Sequence, residues 1–272
     1  MPLGAEKFSS LSRWRLLDGR WVFATSNEVK VLAIQEPETL GRAPLETFLP
    51  PVASASETNN LLQGIIGAYL SPEPPLPPGS KEQYIAMLES NYVIVSAIEE
   101  VLQTAIGSAS RVNQTHLVSF LSEIYQSEQG HSNLIKRDLE ELGVSHVEIH
   151  YESGLAGASA VRDLLRQLAS STEPQSILGV GYLLETNALA INQSFMDELL
   201  RVVPEAATAI SFLQTHSGVG DEIDHVAELL KFISSEPVVS RLEIVSACEL
   251  AAQIIMESAA LNSQDGSSAR LY

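Results

Sequence analysis

Cysteine is almost absent from this 272-residue chain: Cys248 stands alone, which excludes an intramolecular disulfide and leaves no sign of an oxidising compartment. It lies in Val245-Ser-Ala-Cys248-Glu-Leu, an apolar helical stretch in which a thiol reads as inert core. Basic residues are also scarce. Against 34 Asp and Glu there are 16 Lys and Arg, for a formal charge of -18. Such a surface attracts cations and repels phosphates, so no nucleic acid and no anionic membrane is expected as a partner. No hydrophobic run reaches the roughly 20 residues of a membrane span, and the opening residues lack a charged-then-apolar leader. A soluble, cytoplasmic protein is the expectation. Walker loops, Gly-x-Ser-x-Gly elbows and Cys-x-x-Cys pairs are missing, and Gly179-Val-Gly181 has no strand before it. Nucleotide hydrolysis, serine hydrolase chemistry and dinucleotide binding therefore have no support.

What is present is a large apolar interior. Hydrophobic residues make up 45% of the chain and charged residues 18%, the composition of a globular protein with a modest polar shell. Residues 1–50 differ from the rest: Trp14 to Gly19, Trp21 to Thr25 and Val29 to Ile34 are aromatic and β-branched runs separated by Asp18-Gly19 and Ser26-Asn27. They predict a small N-terminal β-hairpin appendage of two or three strands. Residues 51–79 read as a proline-rich connector with a short helix over Asn59 to Leu70, and Pro72 to Pro78 as an extended segment.

From residue 80 to 262 the pattern is helical. Ser80-Lys-Glu-Gln83 is a capping box opening a helix to about Gly107. A second helix runs from Asn113 or Thr115 to Leu142, stopped by Gly143. Further helices are predicted over Ala156 to Ser170, from Gln175 or Ser176 to Val202, from Pro204 to His216, from Asp221 to Ile233 and from Ser235 to about Leu261. Val144 to Tyr151 is a loop, and residues 263–272 a disordered tail. The predicted fold class is all-α, a bundle of about seven helices with the hairpin appended.

The chemistry lies in carboxylates and imidazoles spread over that bundle. Glu128-Gln-Gly-His131 puts an acid and a histidine three residues apart, a spacing that shares one helix face and can converge on one ion. Glu185 falls in Gly181-Tyr-Leu-Leu-Glu185-Thr-Asn-Ala-Leu, where an unpartnered carboxylate would be costly. The alternative is a salt bridge to Arg162 or Arg166. His216 and His225 flank a break at Gly218 and Gly220, and Asp221 and Glu222 stand four and three residues before His225, so either acid could share its face. His116 near a helix start and His146 and His150 in the polar loop have no such paired carboxylate within an apolar run.

Taken in order, these motifs resemble the haem-oxygenase-like di-metal oxidases. The resemblance is carried by Glu128-x-x-His131 followed by Gly143, Glu185 in its apolar helix, and Ser211-Phe-Leu-Gln-Thr-His216 with an acid and His225 beyond, and it covers roughly Ser80 to Leu261. It implies a helical bundle around two Fe(II) ions held by Glu128, His131, Glu185, His216, His225 and one of Asp221 or Glu222. The family's closing His-x-x-x-Asp-x-x-His is longer here by two residues, which leaves the choice between Asp221 and Glu222 open. Many members place the first glutamate seven residues before the histidine, where this chain has Ile124, so Glu123 and Glu128 are the substitutes. Glu128 is preferred, because the offset from Glu123 to His131 turns away by about 80°.

The resemblance further implies O2 as co-substrate, an external electron donor, a homodimer, and oxidation of a small carboxylate-bearing substrate, amino-acid-like rather than a long acyl chain. Desaturation, C–C or C–N cleavage, N-oxygenation or rearrangement are its outcomes, with oxidative decarboxylation of a fatty acid as an alternative on the same site. Ile98, Leu184 and Phe212 are the expected apolar walls. Arg111, Arg162, Arg166 and Arg201 are the candidate anchors for a substrate carboxylate. Two rival readings are a metal-free enzyme of cofactor metabolism on the same scaffold and a non-enzymatic helical binding module.

Overall fold

The structure is a computed structural model and describes residues 12–15, 21–24, 29–32, 55–69, 75–144, 156–218 and 225–264. Strands β1 (Ser12–Arg15), β2 (Trp21–Ala24) and β3 (Val29–Leu32) form an antiparallel sheet in the order β1-β2-β3, with Trp14 opposite Val22 and Val22 opposite Val31. Everything else that is regular among the described residues is helical. The turns of the appendage, the proline-rich stretch before residue 55, His146, His150, Asp221, Glu222 and the chain beyond residue 264 lie outside the described residues.

Helix α1 (Ala55–Tyr69) precedes Pro75 to Pro78, which have no regular structure. The 31-residue α2 (Lys81–Arg111) is the axis of the bundle. Ser80 caps it by accepting from the Gln83 N–H at 3.3 Å, while the Gln83 side chain accepts from the Gly79 N–H at 2.8 Å instead of closing the box on Ser80. Tyr84, Met87, Ser90, Ile94, Ala97, Val101 and Ala105 are buried along α2 at three- and four-residue intervals. The other helices pack around this stripe: α3 (Thr115–Glu128), α4 (His131–Glu141), α5 (Ala156–Ala169), α6 (Ile177–Leu189), α7 (Gln193–Val202), α8 (Ser211–Thr215), α9 (His225–Ser235) and α10 (Val238–Gln264).

Three expectations are corrected. The helix expected from Thr115 to Leu142 is broken between Glu128 and His131, where Gly130 adopts a left-handed φ of 86°. The helix expected from Gln175 to Val202 begins as a short 3-10 turn at Pro174–Ser176 and is interrupted after Leu189. There Asn192 restarts it as α7, its side chain accepting from the Phe195 N–H at 3.1 Å. Pro204 opens a 3-10 turn (Pro204–Thr208), and α8 is a separate short helix. The last helix also runs slightly further than expected, to Gln264.

The core divides in two. One apolar cluster joins α1, the C-terminal half of α2, α3, α5, α6, α9 and α10. The other joins the first turns of α2 to α4, α7 and α8. Cys248 is fully buried in the first, and burial, then the neighbouring Glu249, pushes its thiol up to about 12. Helices α6 and α10 cross so closely that a Cβ on Gly179 would lie 1.9 Å from the Ile244 carbonyl oxygen and 2.9 Å from the Cys248 nitrogen.

That crossing generates a test. Gly179→Ala should destabilise the fold by about 3 kcal/mol, since backbone atoms cannot yield as a side-chain end can. Gly67→Ala, in α1 with nothing within 4 Å of where its Cβ would lie, should be neutral or stabilising by up to about 1 kcal/mol. Urea denaturation midpoints check both; equal stability of Gly179→Ala and the parent would contradict the close crossing.

Candidate metal centre

The seam between the two apolar clusters is where the predicted ligands meet. Glu128 is the last residue of α3 and His131 the first of α4. The pair converges across a turn, not along the face of one helix. Gly130 makes that turn possible, and its N–H donates to the Glu99 carboxylate of α2 at 3.0 Å. His131 Nδ1 then lies 3.0 Å from Glu128 Oε2, with the two side chains only 12% and 10% exposed.

His216 arrives from α8. Its Nε2 is 2.8 Å from His131 Nδ1, and the two rings meet edge to face with centroids 4.3 Å apart. Phe212 lies against His216 at 4.9 Å between centroids. Near Glu128 are also Glu185 of α6 and His225, the first residue of α9. The ligand atoms of Glu128, His131 and His216 all lie within 4.8 Å of one another, and so do those of Glu128, Glu185 and His225. Five of the seven predicted residues are thus brought together, and Glu128 belongs to both groups. Asp221 and Glu222 lie outside the described residues. Glu123 lines the adjoining cavity but joins neither group.

The electrostatics suit a cation. Burial opposes ionisation of Glu128, but the His131 hydrogen bond and the fields of His216, His131 and His225 outweigh it and hold the carboxyl below its usual range. Burial pushes His216 down to about 4, with Glu128 pulling the other way and His131 and His225 adding to the fall. Its ring is therefore neutral near pH 7, the form that donates a lone pair to a metal. His131 Nδ1 faces both Glu128 Oε2 and His216 Nε2, yet a neutral imidazole nitrogen carries at most one proton. The lone-pair atoms of Glu128, His131 and His216 converge on one place, as the ligands of a cation do.

Beside these groups is a cavity of about 260 Å³. Ile98, Leu184 and Phe212 line it as expected, joined by Val101, Leu165 and Leu178 further along. Its polar lining is Asn91, Glu123, Ser127, Glu128, Glu185, His216, His225 and Glu228, with no Lys or Arg among the described residues. The four candidate anchors sit elsewhere: Arg162 bonds Asp163 at 2.9 Å, Arg166 bonds Glu100 at 2.8 Å, Arg201 bonds Glu198 at 2.7 Å and Arg111 bonds the Ser108 hydroxyl at 2.8 Å. The structure brings Glu185 to Glu128 and His225, while Arg162 pairs with Asp163 and Arg166 with Glu100. Sequence reading missed Asn91 and Glu228, whose place in the lining no local pattern signals. It also missed Gly130 as a break, although a glycine inside a helical pattern was a visible cue.

Comparison with known proteins agrees with this architecture. A family model described as "Iron-containing redox enzyme" matches residues 86–254. A domain of unknown function with a haem-oxygenase-like fold from Shewanella denitrificans superposes with a TM-score of 0.52 at 16% identity, covering 84% of this chain and 98% of its own. A TenA homolog from Pseudomonas syringae pv. tomato gives 0.51 at 12% identity, covering 80% and 92%. At these identities the two structures establish the fold alone. No curated protein matches the chain.

The turn at Gly130 is the testable element. A Cβ there meets only the Asn133 amide, at 3.8 Å, so any loss in Gly130→Ala is conformational. We expect a loss of about 1 kcal/mol from forcing Ala into the left-handed region, and a smaller one for Gly130→Asn. Denaturation midpoints decide; an unchanged Gly130→Ala midpoint would mean that α3 and α4 are not separated by this turn.

Proposed function

Because the chain belongs to the family of iron-containing redox enzymes, we propose that it is a non-haem di-iron oxidase or oxygenase that uses O2 on a small substrate with an apolar body. The observation that carries this reading is the membership of Glu128 in two adjoining groups of ligand atoms. Glu128, His131 and His216 would hold one ion, and Glu128, Glu185 and His225 the other. One of Asp221 or Glu222 would add a further carboxylate. Oxygen and imidazole donors suit Fe(II) and leave positions for O2 and substrate.

Two ions bound here would supply electrons to O2 and Lewis-acid sites beside the substrate. The chain's own residues do the rest. Glu128 stays ionised and His216 neutral, so both are ready as ligands without prior proton loss near pH 7. Ile98, Leu184 and Phe212 exclude water from one side of the donor groups. The lining extends along α2 from Asn91 to Leu102, about 16 Å at the helical rise. That shape orients an extended molecule past the ligands.

The lining also bears on the substrate. An amino-acid-like molecule presents two charged groups, and a carboxylate among them finds no Lys or Arg in the described lining. An acyl chain, whose carboxylate could reach an ion directly, fits the apolar length better. The cavity therefore supports the fatty-acid alternative over the amino-acid-like substrate that the family resemblance favoured. The crowding of lone pairs around Glu128 likewise supports the metal-dependent reading over a metal-free enzyme on this scaffold.

Anaerobic titration with Fe(II) tests the proposal. The parent should take up two equivalents and give an absorbance transient on exposure to O2. His225→Ala should keep one equivalent, whereas Glu128→Ala should weaken both. Uptake of one equivalent or none by the parent, or a Glu128→Ala variant that still binds two, would overturn it.

A further inference from the structure

His216 is not carried by a long helix. It follows α8, a helix of five residues (Ser211–Thr215), and its own N–H closes the last turn on the Phe212 carbonyl at 2.8 Å. A helix of that length has no stability of its own, so its placement must come from outside.

The outside contact is Asp138. This residue is fully buried on α4, and its two carboxylate oxygens accept from the first two N–H groups of α8, Ser211 at 3.1 Å and Phe212 at 2.8 Å. Bonds from backbone N–H groups to a buried carboxylate are of the stronger, charge-assisted kind. Just before them, the buried Tyr84 hydroxyl donates to the Ala209 carbonyl at 2.5 Å, which fixes the entry to the same turn. Beyond His216, the Gly218 N–H donates to the Ile191 carbonyl at 3.0 Å. A Cβ on Gly218 would meet the Leu189 carbonyl oxygen at 2.6 Å, so this contact depends on glycine.

Asp138 also stands seven residues after His131 on the same helix. Seven residues turn a helix to within about 20° of the starting direction and advance about 10 Å, so the two side chains leave one face. Helix α8 lies antiparallel along that face, its first residues on Asp138 and its following histidine on His131. One rigid helix thus offers one imidazole and locates the other.

We propose that Asp138 is a positioning residue for the candidate metal centre: by holding the first turn of α8 it sets where His216 meets His131. The metal consequence rests on the di-iron reading above, whereas the geometric one does not. A carboxylate that only stabilised the fold would, when removed, loosen both ligand groups or neither. A positioning residue loosens the group that contains His216 and spares Glu185 and His225. Loss of outer partners that orient ligands weakens metal binding by about 10- to 100-fold.

The test pairs a metal-free readout with iron binding in Asp138→Ala and Asp138→Asn. In metal-free parent protein, NMR should show a cross-peak between the His131 and His216 rings, 4.3 Å apart, and one between Phe120 and Phe232, 4.0 Å apart. Asp138→Ala should lose the first and keep the second. In Fe(II) titration it should bind one equivalent as the parent does and the other about 10- to 100-fold more weakly. Asp138→Asn, which keeps one acceptor oxygen, should fall between and serves alone if the alanine variant does not fold. A retained histidine cross-peak in these variants, or equal weakening of both equivalents, would overturn the inference. Should the parent bind no iron while the cross-peak behaves as stated, the di-iron reading falls and the positioning of His216 by Asp138 stands.

Discussion

Carboxylate and imidazole atoms from four helices' ends and one helix interior converge around Glu128, an arrangement suited to a cation. The Glu128 carboxyl is held below its usual range despite its burial, His131 and His216 approach to within hydrogen-bond distance of each other, and Glu185 and His225 form a second group with Glu128. Taking carboxylates out of water without a cation costs several kcal/mol per charge in a protein interior. No Lys or Arg stands among the described residues of the adjoining lining to relieve it. In the proposed reading a pair of divalent ions relieves it, and membership of an iron-containing redox family points to iron.

At four of the five candidate ligands a helix ends or begins. Glu128 ends α3, His131 begins α4, His216 follows α8 and His225 begins α9; only Glu185 sits within a helix. Ends of helices can be turned independently, whereas residues within one rigid helix share its direction. Each end then requires its own fixing point. Gly130 is tied to Glu99 of α2, the start of α8 to Asp138 and Tyr84, and Gly218 to the carbonyl of Ile191. The two apolar clusters meet at the same place, so the centre lies where two packed bodies share the axis of α2.

Much of this was legible in the sequence. The Glu128-x-x-His131 spacing, the isolated Glu185 in an apolar run and the histidines flanking Gly218 each signal chemistry locally, because a polar group amid apolar neighbours needs a partner. The helical class followed from periodicity, and Ile98, Leu184 and Phe212 were expected as walls of the site that the family resemblance implied. What could not be read depends on contacts between distant segments. Asp138 looks like any surface acid of an amphipathic helix until the backbone of Ser211 and Phe212 is set against it. Helical periodicity continues through the breaks at Gly130 and Asn192, and at Gly130 the glycine itself was the one local cue. The arginines are absent from the cavity lining for a similar reason: Asp163, Glu100 and Glu198 pair with Arg162, Arg166 and Arg201 across or along helices, contacts that no local pattern signals.

X-ray absorption on the iron-loaded protein measures the central claim most directly. The account predicts mixed nitrogen and oxygen nearest neighbours and an iron–iron scattering path at about 3.5 to 4 Å, the separation of ions that share a carboxylate. Iron with the same nearest neighbours but no second iron within that range would contradict it.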